Sequence, residues 1–314
     1  MRWGGRVALS LVLALAVVYG TAWATTDRFG ASRAMVWLEA DTGDIHRFPS
    51  RVIPAGNDVL ELPPGKPLDL STVWPDGDPE AFLENTSTAA FLVVQDGAIR
   101  HEGYFNDARP QELRTSFSTA KSVVSTLVGL AIADGSIGSV DDPISDYIPE
   151  LIERDARFSD IERATGMSLS GYLSERLWQP MGAEVDASWS LDSEESGFEK
   201  MESGLNAVAR DYARFGLLFA NAGRANGEQV VDEEWVRQAT SPDDASGPAD
   251  FYAFHWWTGR SNGESLPEGH FMAVGNFGQF VYVAPDRDLV IVRLGDDWGT
   301  EDWPGLLAEI ASRL

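Results

Sequence analysis

The stretch "TSFSTAKSVVSTLVGLAIADG", residues 115–135, places Ser118 three positions before Lys121, one of only three lysines in the chain beside Lys66 and Lys200. On a helix, residues three apart lie one turn apart on the same face, so the Lys121 amine comes within reach of the Ser118 hydroxyl. A serine hydroxyl becomes a useful nucleophile when a base removes its proton. Lysine serves as that base when burial or neighbouring positive charge favours the neutral amine. A helix amino terminus supplies positive potential here, and the same potential stabilises an oxyanion forming at the Ser118 amide. The pattern alone is weakly specific: 26 serines and three lysines in 314 residues give about 0.25 such pairs by chance. A lysine lying along an ordinary helix is the plain alternative, so the surrounding elements must decide.

A helix beginning near Ser118 fits the local sequence. Ser116 stands where a cap is wanted, Val124, Leu127, Val128 and Ala131 form an apolar stripe, and Gly135 supplies a stop. Upstream, "AAFLVVQDGAIRHEGYF" is two apolar runs around Asp96-Gly97, the strongest short signal for a tight hairpin. Downstream, "DIERATGMSLSGYLSERLWQPMG", "GLNAVARDYARFGLLFANAG" and "EEWVRQATSP" carry helical spacing. The end returns to strands in "HFMAVG", "GQFVYVAP" and "LVIVRLG", closed by a helix from about Trp303 to Leu314. Strands at both ends and helices between predict an α+β fold, with one antiparallel sheet built from the two chain ends and helices packed on it.

Composition narrows the function classes. A chain of 314 residues, 44% hydrophobic, with 11 tryptophans can fill a large core. A net charge of −25 repels phosphate backbones and argues against nucleic acid as a partner. The absence of cysteine removes disulfides, thiolate metal sites and cysteine nucleophiles. The four histidines, His46, His101, His255 and His270, show no metal-binding spacing. His270 precedes the "MAVG" strand and is the one placed to line a site there, although a lone histidine is more often a loop residue. At the amino end, Arg2 and Arg6 precede the apolar run Val7–Ala24, which closes on Ala22-Trp23-Ala24. This is the pattern of a cleaved export signal, and at about 18 residues also long enough for a retained membrane anchor. Either way the remainder is expected outside the cytoplasm, periplasmic or otherwise extracytoplasmic.

With its context, "RTSFSTAKSVVSTLVGLAIADGSIGSVDDPISDYIPEL" strongly resembles the nucleophile segment of the serine β-lactamase-like superfamily, in the branch of class C β-lactamase-related hydrolases, esterases and 6-aminohexanoate-dimer hydrolases. "FLVVQDGAIRHEGYF" resembles the family's opening hairpin. "ERATGMSLSGYLSERLWQPMG", "GLNAVARDYARFGLLFANAGRANGEQVV" and "GNFGQFVYVAPDRDLVIV" follow in family order, so that the likeness covers most of residues 88–296. The resemblance implies a β-lactamase/transpeptidase-like fold with Ser118 as acylated nucleophile and Lys121 as its proton partner. It puts the second oxyanion amide at Asn276, with Gly275, Gly278 and Gln279 shaping the adjoining turn. Read from the residues alone, "GNFGQ" is equally a hairpin or bulge. The family's third motif falls at Ala273-Val274-Gly275, without its usual cation. That favours an ester or small amide as the substrate over a β-lactam, with no metal or organic cofactor. The expected domains are a signal peptide or anchor over 1–24, a spacer and lead-in over 25–70, and the hydrolase domain over 71–314.

One family motif is missing. Its Tyr-x-Asn or Ser-x-Asn would lie between the link after the first helix and "ERATG", but "YIPELIERDARFSDIERATG" joins these landmarks almost directly. Phe158-Ser159-Asp160 lies too near the following helix and lacks a hydroxyl at its first position. An internal deletion with a reduced helical subdomain is therefore expected. Tyr104, Tyr147 and Tyr172 are present, and nothing in their spacing nominates a replacement. A second reading follows, an envelope binding protein that keeps the fold and has lost catalysis.

Overall fold

The computed structural model describes residues 17, 20–21, 40–75, 77–143, 147, 160–241, 251–259, 266–299 and 302–314. The first half of the domain holds β1 (Ser50–Ile53), α1 (Pro79–Asn85), β2 (Thr88–Gln95), β3 (Ala98–Tyr104), β4 (Arg114–Thr115) and α2 (Ala120–Ala133). Next come α3 (Asp160–Thr165), α4 (Leu169–Leu173), β5 (Ala187–Ser190), β6 (Leu205–Ala207), α5 (Ala209–Ala220), the ribbon β7 (Arg224–Ala225) and β8 (Glu228–Gln229), and α6 (Glu233–Ala239). The last elements are β9 (Tyr252–Ala253), β10 (Trp256–Trp257), β11 (Phe271–Gly275), β12 (Gln279–Ala284), β13 (Leu289–Gly295) and α7 (Trp303–Ser312).

The sheet is the one the two chain ends were expected to build. Its order is β3-β2-β13-β12-β11-β10-β9, antiparallel throughout. Asp96 and Gly97 turn the first hairpin with φ of 53° and 70°, the left-handed pair that a two-residue primed turn requires. β13 from the far end pairs directly with β2, Val292 opposite Leu92. Successive residues of β2 face opposite sides. Leu92 and Val94 enter the core under α2 and α5, while Phe91 and Val93 join Trp303, Leu307 and Ile310 of α7. With both faces covered, every residue of β2 and β13 is buried, so these strands read as apolar runs. α5 comes closest at Gly216, where a Cβ would lie 2.6 Å from Val290 and 2.9 Å from Val281.

A smaller sheet, β1-β5-β6-β4, positions the segment that carries Ser118. Its β1 comes from the stretch expected only to lead in, and pairs with β5 from Ser50–Ser190 to Ile53–Ala187. β4 pairs with β6, and the Ser116 amide donates to the Leu205 carbonyl at 2.8 Å, which aims the chain into α2. Most of the link between Leu151 and Ile161, including Phe158 and Ser159, lies outside the described residues. So does the run 7–24 apart from Val17, Gly20 and Thr21, which are helical. Among the described residues no helix is long and apolar enough to cross a membrane.

β3 and α5 are joined by a charge cluster. Arg210 donates to both oxygens of Glu102 at 2.8 and 2.7 Å, and the Tyr104 hydroxyl adds a third bond at 2.7 Å. Burial works to raise the Glu102 pKa, but the bonds from Arg210 and Tyr104 outweigh it and hold the carboxyl below its ordinary value of 4.5. A carboxylate whose folded pKa is depressed stabilises the protein above its unfolded pKa and loses that contribution as pH falls through the folded one. The melting temperature is therefore expected to drop below about pH 4.5. Glu102→Gln should cost about 2 kcal/mol at neutral pH and flatten that acid limb, as thermal melts from pH 7 to pH 3 would show.

Candidate active site

Ser118 is presented by a strained turn. The backbone leaves β4 through Ser116, passes Phe117 at φ 45°, and makes a 3-10 turn over Phe117–Thr119 that runs directly into α2. An aromatic residue at positive φ is unfavourable by about 1–3 kcal/mol. The Phe277 ring, itself at φ 61°, packs 5.0 Å from the Phe117 ring and holds it there. Within Thr115–Ala120 only Ser118 is not buried. Lys121 projects from the first turn of α2 and donates from Nζ to Ser118 Oγ at 3.2 Å. Ser116 does not cap the helix as expected. Its backbone is already helical, and its hydroxyl donates to the Phe117 carbonyl at 3.1 Å, because the 3-10 turn takes up the amides a cap would have served.

The end of β11 is pressed against this turn. A Cβ on Gly275 would lie 2.2 Å from the Ser116 carbonyl oxygen and 3.2 Å from the Ser118 nitrogen, so only glycine admits the approach. Gly275 thereby brings the start of the Asn276–Gly278 turn beside the Ser118 amide, with Asn276 exposed. Gln279 faces inward instead: its amide nitrogen donates to the carbonyls of Asn276 at 3.0 Å and Gly295 at 2.6 Å, and its oxygen accepts from the Gly295 amide. Its side chain braces the turn rather than lining the cleft.

Beneath the turn lies Arg293 of β13, fully buried and without a carboxylate among its hydrogen-bond partners. It donates to the carbonyls of Gly278 at 2.7 Å, Phe277 at 3.3 Å, Thr86 at 2.7 Å and Asp297 at 3.1 Å, and to Thr88 Oγ1 at 3.0 Å. The Trp303 ring covers the guanidinium at 3.9 Å, a cation–π contact. Burial pushes its pKa down to about 9, which leaves it charged at neutral pH. A Cβ on Gly278 would fall 1.8 Å from its Nη1. Sequence reasoning missed this clamp, because an arginine inside "LVIVRLG" gives no sign that five backbone and hydroxyl oxygens converge on it.

The tyrosines considered from sequence are committed elsewhere. Tyr104 donates to Glu102, Tyr147 to Asp142 at 2.5 Å and Tyr172 to Asp134 at 2.7 Å. Tyr212 is buried behind the nucleophile strand, donating to the Arg114 carbonyl at 2.9 Å. His270 does not line the site. It precedes β11 at the end opposite Gly275 and is buried between Tyr282, 2.7 Å away, and Asp286, 2.8 Å away. The histidine that does reach α2 is His255, at the tip of β9–β10, whose carbonyl accepts from Ser122 Oγ at 2.7 Å. Its imidazole lies 2.8 Å from the Tyr252 hydroxyl.

Comparison with known proteins places the chain among the β-lactamase-like serine hydrolases. The family model described as Beta-lactamase matches residues 80–159 and 158–313, and the chain belongs to that family. The two matched stretches meet in the short link before α3, where an internal deletion was expected. The 6-aminohexanoate-dimer hydrolase of Paenarthrobacter ureafaciens is 26% identical over 361 aligned positions, taking in 87% of this chain and 89% of that protein. A Bacillus anthracis protein provisionally described as a 6-aminohexanoate-dimer hydrolase shares the fold with a TM-score of 0.72 at 18% identity, over 88% of this chain and 93% of its own. A family VIII carboxylesterase matches with a TM-score of 0.58 at 16% identity, over 80% and 99%. The fold is therefore β-lactamase/transpeptidase-like.

Proposed function

We propose that this protein is an exported serine hydrolase that cleaves an ester or small amide through an acyl-enzyme on Ser118. The observation that carries the reading is the 3.2 Å contact between Lys121 Nζ and Ser118 Oγ at the start of α2. In the neutral form Lys121 takes the serine proton as Oγ attacks the carbonyl carbon, then returns it to the leaving group. The amides of Ser118 and Asn276 bind the oxyanion, and the amino terminus of α2 adds positive potential. Ala273, buried on β11 where the family's cation would stand, favours a substrate without a carboxylate at that point. Export rests on Arg2, Arg6 and the apolar run that follows them. A fluorophosphonate probe should label the protein at Ser118, and Ser118→Ala should not be labelled. Folded, cooperatively melting protein that takes up no probe would sink the proposal and leave the non-catalytic binding protein in its place.

A further inference from the structure

The β9–β10 hairpin is built at a conformational disadvantage. Ala253 pairs with Trp256, so Phe254 and His255 are a two-residue turn, and both sit at positive φ, 42° and 68°. Asn-Gly or Gly-Gly would make such a turn without strain. Two bulky residues there cost about 1–3 kcal/mol each, and both are held against the nucleophile helix. The His255 carbonyl accepts from Ser122, the residue after Lys121. The Phe254 ring lies 5.3 Å from that of Trp235, and the Trp235 indole rests on α2 at Gly129, where a Cβ would be 2.4 Å away. The turn is thus tied to α2 directly at Ser122 and, through Trp235, at Gly129, so that residue 255 stands at the Ser118–Lys121 end of the helix. Its ring nitrogen Nδ1 lies 2.8 Å from the Tyr252 hydroxyl, and Nε2, without a hydrogen-bond partner among the described residues, is the nitrogen that can exchange protons.

Resting on the acyl-enzyme reading above, we propose that His255 is the second proton-transfer residue of this site, its Nδ1 hydrogen-bonded to the Tyr252 hydroxyl, in the role left vacant by the missing family tyrosine. In deacylation a water oxygen bonds to the acyl carbon while His255 Nε2 takes a proton from it, and Nδ1–H donates to the Tyr252 oxygen. The tetrahedral intermediate then breaks its bond to Ser118 Oγ. The imidazolium returns its proton, through the Lys121 amine, to that oxygen, and the acid leaves. His255 is the catalytic residue of the pair and Tyr252 the positioning one. Among the described residues the ionisable groups facing the imidazole are Lys121 from α2 and Tyr252 from its own hairpin. Burial, and then the Lys121 charge, push its pKa below the ordinary 6.5, which keeps it a base at neutral pH.

The test uses p-nitrophenyl butyrate and the variants His255→Gly and Tyr252→Phe. Glycine is at ease at φ 68°, so His255→Gly keeps the turn and removes only the imidazole. Expected is an undiminished burst of one p-nitrophenolate per enzyme, followed by a steady state about 100-fold slower than in the parent, restored in part by added imidazole against a Ser118→Ala control. The acidic limb of the steady-state rate, centred below pH 6.5, should vanish in His255→Gly and move in Tyr252→Phe. A steady state within twofold of the parent, or burst and steady state slowed in equal proportion without imidazole rescue, would overturn the proposal. A parent enzyme not labelled at Ser118 would instead overturn the acyl-enzyme reading, and this inference with it.

Discussion

Replacing Lys121 with methionine is expected to lower ester turnover by about 10³-fold while leaving the melting temperature within a few degrees of the parent. Methionine keeps the unbranched stem and removes the only donor on Ser118 Oγ among the described residues. Without it the hydroxyl must lose its proton to water during attack. The oxyanion amides and the amino terminus of α2 are untouched, so some residual rate persists. Lys121 is only partly buried, on the same partly exposed side of α2 as Val124 and Val128, so little packing is lost. Measuring kcat/KM on p-nitrophenyl butyrate with parallel thermal melts checks both halves. A loss below tenfold in a fully folded variant would mean that another group takes the serine proton.

Gly275→Ala should be strongly damaging to the candidate site. The added carbon would meet the Ser116 carbonyl oxygen at 2.2 Å, far inside contact distance, and the obstacle is backbone on both sides. Either β11 withdraws from the Phe117–Thr119 turn or the turn itself rotates, and each displaces one oxyanion amide relative to the other. Overpacking of this kind costs about 1–3 kcal/mol, and loss of one oxyanion donor lowers kcat about 10²–10³-fold. The expected signature is a lowered melting temperature together with a fall in kcat larger than any change in KM. A variant with parental melting and parental kcat would show that the two segments do not depend on their close approach.

Much of this arrangement was legible before any coordinates. The hairpin at Asp96-Gly97, the three C-terminal strands and the Gly135 stop each depend on short-range chemistry, and each lies where the sequence reads. The Ser118–Lys121 contact follows from helical spacing alone. Other features were not legible because their causes are long-range. β1 is a strand only because β5 lies beside it, and "SRVI" has no alternation strong enough to announce that. The Phe254–His255 turn contradicts local preference, since those residues disfavour positive φ. Only their contacts with Ser122 and Trp235 explain why the chain accepts it. Gln279 and Arg293 belong to motifs that read as ordinary strand, and their work is visible only in the carbonyls they gather. The family resemblance pointed to the strand that carries Gly275, which the structure sets against the Ser116–Ser118 backbone, but it was silent about His255.

The direct pairing of β2 with β13 has a consequence for how the protein is made. Thr88 and Arg293, bonded across those strands, stand 205 positions apart. At about 5–20 residues per second, ribosomal synthesis leaves β2 without its inner neighbour for roughly 10–40 s. During that interval an apolar strand has one unpaired edge, a template for wrong partners, and the high contact order of the finished sheet slows its closure further. The Asn276–Gly278 turn cannot be clamped until Arg293 arrives on β13. The nascent chain therefore carries Ser118 and Lys121 long before the Asn276–Gly278 turn is fixed beside them, so the candidate site is completed only when the last strand docks.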